Sequence, residues 1–382
     1  MNPVLSPLKP IILTLSAALV LAACGGNNGS DSARTASASG AGSANNSGST
    51  VDCAGGDPAN ADDPCLINTI DQLQALAATG HYALAADIDA GSTRDWNDGA
   101  GFRPLAPFSG SLDGRGFTIS GLTINRADDA DIGLFSQLAD EAAIVRDLRL
   151  NNAQVTGDRF VGVLAGRVRA GQVHGVHVDG SVTAGEWAGG LIGSLHDGAL
   201  VSHSSSRGQV QGDGERVGGL VGQNDGAISH SFSLAAVRGR TSVGGLVGRG
   251  AGRIDHSYSL VDTPDDPDHR VEGAHSGSQV GGLVGEIEAS ARISHAWTVS
   301  HAGTDGQRRY SGHRLVGKNW GTGEGIEASW WGGNQSVRPG SDDTARRLDA
   351  MQQAATYQGW DFDDTWRIDE GTGYPDLIAN PR

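Results

Sequence analysis

The chain has 382 residues, with 28 Lys and Arg against 44 Asp and Glu, a formal net charge of −16, and 59 glycines. That charge excludes nucleic acid and anionic membrane surfaces as electrostatic partners and predicts a solubilising acidic surface. Length alone allows two or three domains, but a repeat array absorbs it as one unit because each repeat touches only its neighbours.

Residues 1–23 carry Lys9 and an apolar run from Ile11 to Ala23, too short to span a membrane and shaped like a signal peptide. The exit Leu21-Ala22-Ala23-Cys24 resembles a bacterial lipobox. The resemblance implies acylation of Cys24 with chains such as palmitate, cleavage before it and membrane anchoring through the lipid. Gly25, in place of an aspartate, implies the outer membrane. Residues 24–50 then form a Gly/Ser/Asn tether with too little apolar surface to order itself. Its reach is roughly 25–30 Å.

Residues 51–130 are predicted to form the N-terminal cap and first coils. Cys53 and Cys65 enclose CAGGDPANADDPC, and an exported chain favours their pairing. Asn68 or Thr69 caps a predicted helix running to Ala78, the candidate N-terminal cap of the fold. Strands follow at 81–88, 108–112 and 117–124, with Leu112, Phe117, Ile119, Leu122 and Ile124 as their buried set.

The array proper spans 131–318. VGGLVG occurs at 217–222, 243–248 and 280–285, with looser copies AGGLIG at 188–193, VGVLAG at 161–166 and IGLFS at 132–136. The central leucines Leu134, Leu164, Leu191, Leu220, Leu246 and Leu283 step by 30, 27, 29, 26 and 37 residues, and Leu315 lies 32 further on. Each unit reads as two strands and a third shorter one around Gly, Asn or Asp turns, with AISHSFSL at 227–234 read as one strand. A period this short excludes helical solenoids and four-stranded propeller blades and fits one coil of a parallel β-helix. Leu220, Leu246 and Leu283 are expected to stack in one interior column, and Ile228, Ile254 and Ile293 in another. Glycines suit the coil corners through close approach or positive φ. The long step before Leu283 contains an acidic segment at 261–278, expected to bulge from one face. Residues 319–382 hold five of the eight tryptophans, including Trp360 and Trp366, and read as a C-terminal aromatic cap.

CLINTIDQLQAL, FSGSLDGRGFTISGLTI, the VGGLVG copies and WDFDDTWRIDEGTGYPDL together resemble the GLUG-motif family of bacterial surface proteins. The resemblance covers roughly 65–377. It implies a right-handed parallel β-helix of the pectin-lyase type and a surface or adhesive role, and supplies no site residues. One departure is histidine in the Ile-x-His-Ser pattern, where similar proteins often have asparagine.

His203, His230, His256 and His295 recur at equivalent positions, with Asp147 at the same point of an earlier unit. Aligned coils would stack the imidazoles about 5 Å apart. The column reads as a polar corner ladder of the kind asparagine makes; a metal-binding or pH-sensitive ladder is the alternative. None of the twelve histidines precedes a glutamate, so no H-E-x-x-H is present, and neither is a G-x-S-x-G elbow. Asp147, Asp179, Asp213 and Asp255 are scattered by unit and read as solvated turn residues. Asp262, Asp265, Asp266 and Asp268 offer hard oxygens for calcium without matching a defined loop.

The expectation is an outer-membrane, lipid-anchored surface protein whose non-enzymatic β-helix binds a glycan or a host or matrix protein. The alternatives are a polysaccharide lyase or glycosidase on the same scaffold, and a structural envelope protein. No catalytic residue, metal ligand or cofactor is assigned, and the binding residues stay open.

Overall fold

The computed structural model describes residues 51–261, 270–275, 277–300, 302–304, 315–320, 325–333 and 345–382. Cys24, with its signal segment and tether, lies outside the described residues, as do Asp262, Asp265, Asp266 and Asp268.

One coil shows the logic of the rest. Ala199–Ser202 runs along a first face, Ser205–Gly212 and Glu215–Gly218 make a second, and Val221–Asn224 makes a third. Ala227–Ser229 then returns to the first face one rung higher. Val201, Ile228, Ile254, Ile293 and Ile326 pair in sequence on the first face, all in parallel register. Val221, Val247, Val284 and Val316 do the same on the third. Among the described residues the first ladder has ten strands and the third seven. The fold is a parallel β-helix.

The expected interior columns are present. Leu164, Leu191, Leu220, Leu246 and Leu283 each donate a backbone N–H to the next leucine carbonyl, ending at Leu315. All six are at most 2% exposed. Each contributes roughly 1.5–3 kcal/mol by leaving water.

The glycine-leucine motif is itself a corner, not a strand. Glu215–Gly218 ends within it and Val221–Asn224 starts beyond Leu220. Gly218, Gly219 and Gly222 are absent from the positive-φ residues. Close approach is what requires glycine here: a Cβ on Gly219 would lie 2.1 Å from both the Gly245 carbonyl oxygen and Ser233 Oγ. The segment at 227–234 is likewise not one strand. It breaks at His230, where φ is 47°, into Ala227–Ser229 and Phe232–Ser233.

The N-terminal helix is Ile70–Gln74, capped reciprocally by Thr69 and Gln72, with Ile70 and Leu73 buried. It stops short of Ala78 because the Ala77 N–H turns to the Tyr82 hydroxyl, 3.3 Å away, as the chain enters the strand His81–Leu84. Cys53 and Cys65 form a disulfide with a 2.00 Å S–S bond.

Two later segments differ from expectation. Val271–Gly273, inside the segment expected to bulge, is an ordinary rung between Val237–Gly239 partners and Ala302–Thr304. Trp330–Gly333 and Ala345–Arg347 are further rungs of the second face. Trp360 and Trp366 do not follow them as an end plug. The chain runs back along the side of the helix as a strap, where Trp366–Arg367 pairs antiparallel with Asp376–Leu377. The reason is an outward column on the second face that turns aromatic. Phe232, Tyr258 and Trp297 stack with ring centroids 4.9 and 4.7 Å apart, and this apolar ridge needs a cover. The Tyr258 hydroxyl donates to Asp376 Oδ1 at 2.8 Å. Burial, reinforced by the Asp376 charge, pushes that phenol well above its ordinary pKa.

Candidate functional site

Two corners recur from coil to coil with a residue in the left-handed region, and several of those residues carry large side chains. At the corner between first and second faces sit Asp147, Gly175, His203, His230, His256 and His295, with φ between 43° and 62°. Glycine, asparagine and aspartate are the ordinary occupants of this conformation. After His203, His230 and His256, and after Ala328 at the same corner with φ 42°, the next residue is a buried serine whose hydroxyl bridges to the neighbouring coil. Ser231 Oγ accepts from the Ser204 N–H at 3.1 Å and donates to the Ser229 carbonyl at 2.7 Å; Ser204, Ser257 and Ser329 repeat the pattern. The imidazoles point outward, each over the next. The rings of His203, His230, His256 and His295 are 4.9, 4.9 and 4.6 Å apart and within 7° of parallel. The expected column is therefore real.

Half-burial penalises charge on the His203 and His230 rings. Burial lowers the pKa of His203, with His174 adding to the effect, and that of His230, with His256 and His203 adding. Each binds its proton more weakly folded than unfolded. Acidification through the ordinary imidazole value near 6.5 therefore protonates the unfolded chain first. The contribution to stability is fully present above that value and is lost as pH falls below it. Urea midpoints are expected to decline from pH 7.5 to pH 5.5, and to decline less steeply in a His203→Asn/His230→Asn variant, whose asparagines accept the same φ.

The strap covers only part of this corner. Trp366 lies 6.2 Å from His256 and Trp360 lies 6.3 Å from His295, while Asn380 Nδ2 donates to the His230 carbonyl at 3.0 Å. Beside Ala379 of the strap, a cleft of about 390 Å³ opens between Asp147, Arg149, His174, His177 and His203. His177 belongs to the same outward column as the aromatic ridge: Arg149, His177, Ser205 and Phe232 pair in turn. The column is polar where it is open and aromatic where it is covered.

The four scattered acids separate. Asp147 is exposed at the corner, and Asp179 and Asp213 are exposed on other rungs. Asp255 is not a solvated turn residue. Its side chain is 17% exposed and lies 3.0 Å from His256 Nδ1, with Ser294 Oγ donating to it at 2.6 Å. Burial opposes its charge, but His256, Ser294 and Arg253 outweigh that and hold the carboxyl far below the usual range.

The corner between second and third faces was not anticipated. It is the residue two before the first motif glycine in five successive units, a position occupied in turn by Asp131, Phe160, Trp187, Arg216 and Ser242, all at φ between 55° and 62°; Gln279 holds the place in the next unit without the left-handed backbone. That regular spacing was the available signal. The Phe160 and Trp187 rings are 4.6 Å apart, edge to face. The Arg167 guanidinium lies 4.5 Å over Phe160 and that of Arg216 lies 3.9 Å over Trp187. Beside them runs the outward column Arg167, Ser194, Gln223, Arg249, Glu286 and Lys318 of the third face. Burial alone would raise the Glu286 pKa, but Trp320, Ser242 and Arg249 lower it.

No family model matches the chain. Two solved structures superpose on it, each with a TM-score of 0.54. A candidate immunoglobulin A1 protease from Bacteroides ovatus is 17% identical, covering 84% of this chain and 94% of that one. An IgA1 protease is 16% identical, covering 77% and 24%. The chain shares their fold. In sequence, the halomucin of Haloquadratum walsbyi is 40% identical over 149 residues, which is 35% of this chain and 2% of that protein. A candidate Gly-rich membrane protein of Evansella cellulosilytica is 34% identical over 116 residues, 28% of this chain and 13% of that protein. The chain thus spans a small fraction of the length of both relatives.

Proposed function

We propose that this chain is a GLUG-type surface lipoprotein, anchored to the outer membrane through Cys24, whose β-helix binds a glycan or an extracellular protein without turning it over. The observation that carries the binding role is the second corner. Phe160, Trp187 and Arg216 occupy a left-handed conformation that costs on the order of 1–3 kcal/mol for such residues and that glycine or asparagine would adopt more cheaply. The strain aligns rings and guanidinium groups along the helix axis at one per coil. Such a strip offers stacking faces and charge-bearing donors at the rung spacing, which suits an extended, repetitive ligand. Arg216 Nε and Gln223 Oε1 make no hydrogen bond within the protein. Support for a surface location comes from the lipobox resemblance at Leu21-Ala22-Ala23-Cys24 and from the membrane association in one relative's name.

The test has two arms on the intact chain. On a glycan and matrix-protein array, at least one ligand is expected to bind, with Trp187→Ala and Arg216→Ala weakening it about tenfold or more. Release of reducing sugar from a bound polymer would overturn the non-enzymatic reading. In the producing cell, Cys24→Ala is expected to accumulate as unprocessed, unacylated precursor.

A further inference from the structure

Asp255, His256 and His295 carry an inference of their own. Asp255 and His256 end one rung of the first face and His295 occupies the corner of the next. One carboxylate oxygen and one nitrogen from each imidazole lie within 4.8 Å of one another. Asp255 Oδ2 is 3.0 Å from His256 Nδ1, and Asp255 Oδ1 is 3.5 Å from His295 Nδ1. Neither Nδ1 makes a hydrogen bond of good geometry, although both are buried as atoms. Buried nitrogens in that condition call for a partner.

We propose that Asp255, His256 and His295 bind a borderline transition-metal ion of the zinc class and so cross-link two adjacent coils. Two imidazole nitrogens and one carboxylate oxygen are a donor set for zinc, copper or nickel and a poor one for calcium or magnesium. Zinc bonds of about 2.0–2.2 Å place tetrahedral ligand atoms roughly 3.3–3.6 Å apart; the 3.5 Å from Asp255 Oδ1 to His295 falls in that range, while the 3.0 Å to His256 is made by the other carboxylate oxygen, so the carboxylate turns to present one oxygen to the ion. The ring planes are 7° from parallel, so the two lone pairs converge only after the rings turn about their side-chain torsions. His295, 32% exposed, has room to do so. Ser294 Oγ, donating to Asp255 Oδ1 at 2.6 Å, orients the carboxylate from outside the ligand set. Arg253 Nη2 lies 3.3 Å from Asp255 Oδ2; its side chain is 64% exposed and leaves to solvent when the cation arrives. The neighbouring rungs differ. His203 and His230 stack in the same column, but the acid's place in the outward column beside them is taken by Ser202 and Ser229, so the site is confined to one pair of coils.

The experiment is calorimetric titration of the intact chain with zinc chloride at pH 7.5, with calcium chloride as a comparison, and circular dichroism to verify folding. The wild type is expected to take up zinc at one site that His256→Asn and His295→Asn each weaken at least tenfold. His230→Asn is expected to leave it unchanged. Asparagine accepts the left-handed backbone at all three positions, so the variants keep the corner. Cobalt supplies a second readout, a visible absorption band present in wild type and His230→Asn and lost in His256→Asn/His295→Asn. Absence of zinc uptake by the wild type overturns the proposal, as does uptake of equal affinity and stoichiometry in that double variant.

Discussion

Gly219→Ala is expected to lose more than about 3 kcal/mol of stability, read as a lower urea midpoint with cooperativity retained. The added methyl would meet the Gly245 carbonyl oxygen and Ser233 Oγ, each 2.1 Å from where its carbon must sit. Neither can yield cheaply. Gly245 is the same corner one rung higher, with its N–H on the Gly282 carbonyl at 3.0 Å, and Ser233 is fully buried. Moving either requires separating two coils that share interior columns of Leu220 with Leu246 and Ile228 with Ile254, and overpacking in such interiors costs about 1–3 kcal/mol even when the neighbours are side chains. Gly198 is the control. Its φ is 84° but nothing lies within 4 Å of a Cβ there, so Gly198→Ala should cost about 1 kcal/mol from backbone strain alone. If the two variants fall together, conformational freedom rather than packing explains the motif.

The parts of this molecule that repeat were legible in its sequence. Leucine and isoleucine columns follow from equal steps along the chain, because a solenoid converts sequence period into spatial adjacency. The histidine column followed for the same reason, and its φ of 43–51° explains why asparagine is a natural substitute there. What the period could not supply is how neighbouring columns are offset. Asp255 reads as a turn residue in isolation, and only the alignment of its rung with that of Ser294 and His295 brings it against two imidazoles. Phe160, Trp187 and Arg216 were missed because unlike residues at one position do not look like a repeat. The strap was misjudged for a different reason. Its tryptophans carry no periodicity, and their partners, Phe232, Tyr258 and Trp297, lie far back in the chain on the outward side of strands whose inward residues dominated the pattern.

Trp366→Ala is expected to release the strap while leaving the coils folded. Trp366 is fully buried, with its ring centroid 4.4 Å from Trp360 and 6.3 Å from Tyr258, and removing such a side chain costs about 3–5 kcal/mol. The interior leucine column makes no use of it, so the loss falls on the strap's own attachment. What remains is a reduced apolar contact through Tyr357, Trp360 and Leu377 and a few polar ones: Tyr258 to Asp376, Arg367 to Asp376 at 3.1 Å, and Asn380 to the His230 carbonyl. These hydrogen bonds, at about 0.5–1.5 kcal/mol each, do not hold an ordered segment once its anchor is gone. Hydrogen exchange should therefore speed up across residues 357–382 and stay slow at Leu220, Leu246 and Leu283. Fluorescent dye binding should rise as Phe232, Tyr258 and Trp297 meet solvent. Ile378→Ala, at a side chain 41% exposed, should change neither. Exchange that accelerates uniformly through the coils would instead make the strap an integral part of the helix, whose loss destabilises every rung.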